Sequence, residues 1–179
     1  MKKEVILGGG CFWCTEADLR KIEGVIDVMP GYAGEKEGSP TYENHNGYRE
    51  AVRVEYDEEK VTYKKICQFF LDHIDPTDAG GQFFDRGDSY KTAIYYDGDE
   101  EKFIAESLIK ELEESGLFDK PIATEVLKKA YFYVAEDYHQ NYADKNPVRY
   151  GLYKEGSGRV LFVNNVCQAR EEKNIKWKD

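Results

Sequence analysis

Between residues 51 and 74 the chain changes hydrophobic period, and this change restricts the folds open to it. Residues 51–56 alternate, with Val52, Val54 and Tyr56 on one face and Ala51, Arg53 and Glu55 on the other. That is the period of a strand with one core face. Tyr63, Ile66, Cys67, Phe70, Leu71 and Ile74 then fall on one helical stripe, which ends before Pro76. A one-faced strand beside a one-striped helix hides both apolar surfaces by layering. The rest of the chain predicts strands over 4–7, 25–28, 91–96, 122–126 and 131–134. Helices are predicted over 12–23, around 105–112 with a stop near Gly116, and over 136–144. Residues 29–48 and 75–89, rich in glycine, read as long loops of the functional kind. From Gly151 the pattern fades, and Gly156 and Gly158 suggest a flexible, coiled tail. The expected architecture is α+β: a two-layer α/β sandwich with a mixed, ferredoxin-like sheet. It forms one catalytic domain over residues 1–179, with its core at about 4–150 and a tail over 151–179.

A chain of 179 residues with 14 Tyr, 9 Phe and 2 Trp has enough apolar surface for such a core without staples. The net charge of -10 and the lack of a basic stripe argue against nucleic acid as a partner. Residues 5–7 are too short an apolar run for a secretory signal, and no stretch has the ~20 apolar residues of a membrane span. A cytoplasmic monomer is expected. The four cysteines, Cys11, Cys14, Cys67 and Cys167, are then reduced at rest and either catalytic or buried.

The most informative stretch is Gly8-Gly9-Gly10-Cys11-Phe12-Trp13-Cys14-Thr15-Glu16. It sets a cysteine after a strand, on a glycine turn, where a helix begins. Free amides and the helix dipole at such a point favour the thiolate, the nucleophilic form. Phe12 and Trp13 are placed to wall an apolar pocket beside the sulfur. The alternative is a structural cysteine in a tight turn. Cys11 and Cys14 form a C-x-x-C pair, which serves either as a redox couple or as half of a zinc site. The remaining Cys and His residues show no second paired spacing, so no metal is expected. Cys67 lies on the core stripe of its helix and should be inert. Glu50 shares the parity of Val52, Val54 and Tyr56 and so points to the apolar side at the strand's mouth. Desolvation there raises a carboxyl pKa and keeps the group protonated, a proton donor.

Gly10-Cys11-Phe12-Trp13 followed by Glu16 resembles the active-site motif of the A-class peptide methionine sulfoxide reductases. The resemblance continues through Gly31-Tyr32-Ala33-Gly34, Pro40-Thr41-Tyr42, Glu50-Ala51-Val52, Asp75-Pro76-Thr77, Asp85 with Gly87 and Tyr90, Ala135-Glu136-Asp137 with His139-Gln140 and Tyr142, and Lys145-Asn146-Pro147. It implies reduction of S-methionine sulfoxide, free or in oxidised proteins, with Cys11 as the nucleophile. It also implies Glu50 as the acid and Tyr42 and Tyr90 as donors to the sulfoxide oxygen. Phe12, Trp13 and Tyr150 match the pocket around the substrate methyl, and Asp85, His139 and Tyr142 match other residues lining the site. No cofactor is implied, only an external reductant, thioredoxin or dithiothreitol.

Attack leaves a sulfenic acid on Cys11, which condenses with a nearby thiol. Many relatives carry that thiol just after the position of Tyr150, where this chain has Gly151. Cys14, replacing the usual glycine after the Cys-Phe-Trp motif, is the expected recycling residue, and Cys167, carried on the tail, is its rival. Tyr48-Arg49 before Glu50, and Glu35 after Gly34, also depart from the family's common pattern and bear on peptide specificity. Two other readings compete: a thioredoxin-type disulfide oxidoreductase using Cys11 and Cys14, and a Cys/His metal-binding module.

Overall fold

A computed structural model of the chain describes residues 1–129 and 131–179. The first strand, β1 (Lys2–Gly8), leads through the glycine turn into helix α1 (Phe12–Leu19). Strands β2 (Val25–Gly34) and β3 (Arg49–Asp57) follow, then helix α2 (Tyr63–Asp72). A small hairpin of β4 (Gly81–Gln82) and β5 (Asp85–Arg86) precedes β6 (Ala93–Tyr96) and helix α3 (Asp99–Glu114). Strands β7 (Glu125–Lys128) and β8 (Tyr131–Val134) come next, and the chain ends in helices α4 (Tyr142–Lys145), α5 (Pro147–Gly156) and α6 (Arg159–Glu172). The main sheet has the order β7-β6-β1-β3-β2-β8. It is mixed: β6 and β7 run parallel and the other neighbours antiparallel.

The parity of β3 sets the layers as expected. Val52, Val54 and Tyr56 join Leu7 and Val28 in a core that takes in Leu19 of α1, Ile66 and Phe70 of α2, and Leu108 of α3. Thr62 starts α2 by accepting the Lys65 N–H at its hydroxyl, an N-cap of the kind that satisfies a free helix donor. The opposite sheet face is also closed, by a thinner cluster of Ile6, Ala33, Ala51, Ala93 and Tyr95 under Phe132 and Leu127. Arg53 lies over the Phe132 ring, 5.4 Å from its centroid. Small side chains and an aliphatic arginine stem thus cover this face without a helix.

Four expectations require correction. Helix α1 ends at Leu19, not near residue 23; Lys21 and Ile22 close tighter turns on Asp18 and Leu19. Strand β2 continues to Gly34 where a loop was expected. Pro30, Gly31 and Gly34 weaken the strand pattern, yet Gly31 is needed, since a side chain there would overlap the Phe132 ring and the Tyr133 carbonyl of β8. The helix expected over 136–144 is broken by Asn141, in the left-handed region at φ 55°, into a turn at Asp137–His139 and the short α4. The tail is not coiled. Pro147 opens α5, Gly158 at φ 84° turns the chain, and α6 touches α2. The closing segment is pinned by Trp177, whose indole donates to Asp72 at 2.9 Å, and by Arg170, stacked on that indole and paired with Asp72.

Candidate active site

Cys11 is the residue before the first turn of α1, delivered there by β1 and the three glycines. The turn is tight because nothing larger fits. A Cβ on Gly9 would meet Thr15 and Phe70, and Gly10, at φ 79°, lies against Gln82. The cleft beside Cys11 has a volume of about 60 Å³, room for a small group of a few heavy atoms. Cys11, Phe12, Trp13, Tyr42, Glu50, Asp85, Tyr90 and Tyr153 line it. Seven of these eight are residues the sequence nominates, drawn from five separate stretches of chain.

Glu50, at the start of β3, is 2% exposed, and its Oε2 accepts the Phe12 N–H at 3.2 Å. Burial raises its pKa to about 8, and the nearby Asp85 carboxylate adds to the effect of desolvation. At neutral pH the carboxyl therefore keeps its proton, as the strand parity predicts. The Phe12 amide is the first free donor of α1, and it goes to the carboxyl rather than to the sulfur. That amide, one of the donors expected to favour a Cys11 thiolate, is thus taken up by Glu50. Burial first, then the Cys14 sulfur and the nearby carboxyls of Asp85 and, once ionised, Glu50 push the Cys11 thiol up. Its hydrogen bond is given to Cys14, which is lowered to about 7. That bond is the largest cause, burial opposes it, and the charges of Arg159 and Lys154 add to it. Of the two sulfurs, burial weighs most on Cys11, and the surroundings favour ionisation at Cys14.

Burial and the neighbouring Glu50 carboxyl push the Tyr42 hydroxyl up to about 12 and that of Tyr90 higher still, so both remain hydrogen-bond donors. Tyr42 is held by its own N–H on Glu136 at 3.1 Å, and Glu136 also accepts the Tyr32 hydroxyl at 2.9 Å.

Three nominated residues lie behind the cleft instead of lining it. His139 is fully buried. Its Nδ1 accepts the Trp13 indole N–H at 3.0 Å, and burial lowers its pKa, so the ring is a neutral support. Tyr142 stacks on Trp13 at 3.9 Å and 9°. Glu16, 1% exposed, accepts the Asn141 N–H at 2.8 Å and so fixes the segment that carries both. Tyr150, expected at the substrate methyl, faces Cys14. Its buried hydroxyl has no nitrogen or oxygen partner among the described residues, and it bears on Cys14's ionisation.

Tyr153 takes the cleft position and hydrogen-bonds Asp85. Sequence reasoning missed Tyr153 because the tail was read as coil; with Pro147 opening a helix, residues 150 and 153 share a face. Cys67 is buried on α2, and Cys167 is exposed on α6. An α-helical rise puts Cys167 roughly 12 Å along the axis from Arg159. Among the described residues no group of three or more His, Cys, Asp or Glu is arranged to hold a metal ion, and no helix is long and apolar enough to cross a membrane.

The sequence profile of the peptide methionine sulfoxide reductases matches residues 3–171. A Bacillus velezensis protein named peptide methionine sulfoxide reductase MsrA is 49% identical over 174 residues, 94% of this chain and 98% of its own. Among solved structures, Mxr1 from Saccharomyces cerevisiae in reduced form superposes with a TM-score of 0.75 at 32% identity, covering 82% of this chain and 87% of that one. Methionine sulfoxide reductase A of Corynebacterium diphtheriae gives 0.71 at 31% identity, over 82% and 76%. The yeast protein is also solved in complex with Trx2. With the thiol pair and the neutral carboxyl around one small cleft, these matches fix the family: the chain is a member of the peptide methionine sulfoxide reductases.

Proposed function

We propose that this chain reduces S-methionine sulfoxide, free or within oxidised proteins, with Cys11 as nucleophile and Glu50 as acid. The observation that carries the reading is the Phe12 N–H seated on Glu50 Oε2 at 3.2 Å, which holds the acid one peptide from the nucleophile. The sulfoxide enters the cleft with its methyl toward Phe12 and Trp13 and its oxygen toward Tyr42, Tyr90 and Glu50. Cys11 attacks the substrate sulfur and an S–S bond forms, while the proton of Glu50 and the thiol proton of Cys11 go to the sulfoxide oxygen, which departs as water. Water then attacks the Cys11 sulfur, the S–S bond breaks to release methionine, Glu50 regains a proton from that water, and Cys11 is left as a sulfenic acid. Asp85, held by Tyr153, is a further part of the wall, and His139 and Tyr142 support Trp13.

Cys14 closes a disulfide with Cys11, and an external dithiol reopens it. The yeast relative's complex with Trx2 supports thioredoxin as the reductant, with dithiothreitol as a laboratory substitute and no bound cofactor. Cys167, facing outward on α6, is the weaker candidate for this step. We read residues 1–179 as one catalytic domain working as a monomer in the cytoplasm. Strands β6, β1, β3 and β2, in that order with α1 and α2 on one face, support the ferredoxin-like description. A thioredoxin-type oxidoreductase needs neither a buried acid nor a methyl pocket, and the buried Glu50 beside a cleft walled by Phe12 and Trp13 favours the reductase reading. The test is an assay of separated S and R sulfoxides with dithiothreitol. Turnover of S alone, lost in Cys11→Ser, is expected; equal turnover of R would refute the assignment.

A further inference from the structure

We infer that Tyr153, on helix α5, is a specificity-determining residue: with Trp13 its ring makes the corner that receives the substrate methyl and excludes larger sulfoxides. This deepens the reading of the cleft as a sulfoxide site and rests on it.

The residues lining the cleft sort by chemistry into two ends. Glu50, Tyr42 and Tyr90 form the end that delivers protons to an oxygen. The apolar end is left to Phe12, Trp13 and Tyr153. Phe12 is 1% exposed, and its ring is tied into the core, 4.9 Å from the His139 ring and 5.8 Å from that of Tyr32 between centroids. It can serve only as a floor. Trp13 is one wall, fixed by Tyr142 stacked at 3.9 Å and by its indole N–H on His139 at 3.0 Å.

The second wall is not Tyr150, which does not line the cleft. It is Tyr153, whose ring meets that of Trp13 at 6.0 Å between centroids and 81°. Aromatic rings at this distance and angle are in edge-to-face contact. They form a corner, with no slot between them for a longer chain to enter.

Two contacts hold the second ring. Its hydroxyl is given to Asp85, so what it offers a substrate is carbon. The next residue, Lys154, pairs at 3.1 Å with Asp18 of α1, a side chain only 7% exposed. Both walls are thereby attached to the helix that presents the nucleophile.

The room available gives the consequence. The cleft holds about 60 Å³, and the reacting head of methionine sulfoxide is only sulfur, oxygen and a methyl carbon. An ethyl sulfoxide adds one carbon, and one methylene in an apolar pocket is worth about 10- to 200-fold in specificity. Selectivity for methyl is therefore set from the tail helix, at a residue remote in sequence from both the cysteine turn and the acid.

The test compares S-methionine sulfoxide with S-ethionine sulfoxide, using dithiothreitol as reductant, and reads the ratio of their kcat/KM values. The parent protein should favour the methyl compound by at least about tenfold. In Tyr153→Ala the ratio should fall below about threefold, and in Tyr153→Leu it should lie between. Tyr153→Phe keeps the ring and should hold the ratio within about twofold of the parent, even where loss of the Asp85 bond slows both substrates. If melting shows Tyr153→Ala to be unfolded, Tyr153→Leu decides. Equal slowing of both substrates with an unmoved ratio would make Tyr153 only a prop for α5 and overturn the inference. So would a parent protein that turns over both compounds equally. A parent protein that releases no methionine from the S sulfoxide would instead sink the functional reading itself.

Discussion

Cys11 and Cys14 are three residues apart, yet they face opposite electrostatic surroundings. Cys11 looks into a cleft with two carboxyls, Glu50 and Asp85, and a ring of tyrosine hydroxyls. Cys14 looks toward the tail, with Arg159 and Lys154 bearing on it. One environment suits proton delivery to an oxygen, and the other stabilises a sulfur anion. One turn of helix separates the two tasks, and the two sides come from different parts of the chain: the cleft from the sheet and its loops, the cationic side from α5 and α6.

Substitutions on each side should separate these tasks, and the largest effect belongs to the cleft. Cys11→Ser should abolish methionine release, a loss of at least about 10³-fold, with any residual activity counting against it as the nucleophile. Glu50→Gln comes next. It should cost about 10²- to 10³-fold in release while leaving reaction of free thiols with disulfide reagents largely intact. The same residue predicts a pH dependence. Glu50 must be protonated to act, so release in the parent protein should fall as pH rises through about 8. Its folded pKa lies above the ordinary 4.5, so the fold binds more protons than the unfolded chain between 4.5 and about 8. The stability linked to Glu50 is therefore complete below 4.5 and lost as pH climbs to about 8. Melting curves of Glu50→Gln should be flatter across that window, and a parallel pair of curves would argue against a neutral Glu50.

The cationic side should give a smaller and different defect. Cys14→Ser should lower thioredoxin-driven turnover by more than about tenfold, and Cys167→Ser by less than about twofold; the reverse ranking would move recycling to α6. Smallest of all, Trp177→Ala removes the indole that ties the chain's end to Asp72 and Arg170. It should lower stability by about 1–2 kcal/mol, or Tm by roughly 2–8 °C, with the chemistry of the cleft little changed.

The same division explains what could be read in advance. Strand β3 and helix α2 were legible because Val52, Val54, Ile66 and Phe70 bury one face each, and periodicity records that burial. Glu50 was legible for the same reason, as one more residue in register. The far half of β2 was not, since Pro30 and the glycines break the side-chain pattern, Gly31 serving close approach to β8 and Gly34 making room for the Tyr48 ring. The tail was unreadable for another reason. Its helices bury few apolar residues and are fixed by single polar anchors, Arg159 under Phe83 and Trp177 on Asp72, which leave no period behind. Tyr153, and Tyr150's place beside Cys14, were hidden with it.

The hydrogen bond from the Phe12 N–H to Glu50 has a mechanical corollary. The peptide plane that carries this donor also carries the carbonyl of Cys11, so any displacement of the nucleophile's backbone drags the acid along. Attacking atom and proton source are thus coupled through one hydrogen bond, so the backbone at the nucleophile helps set where the acid sits.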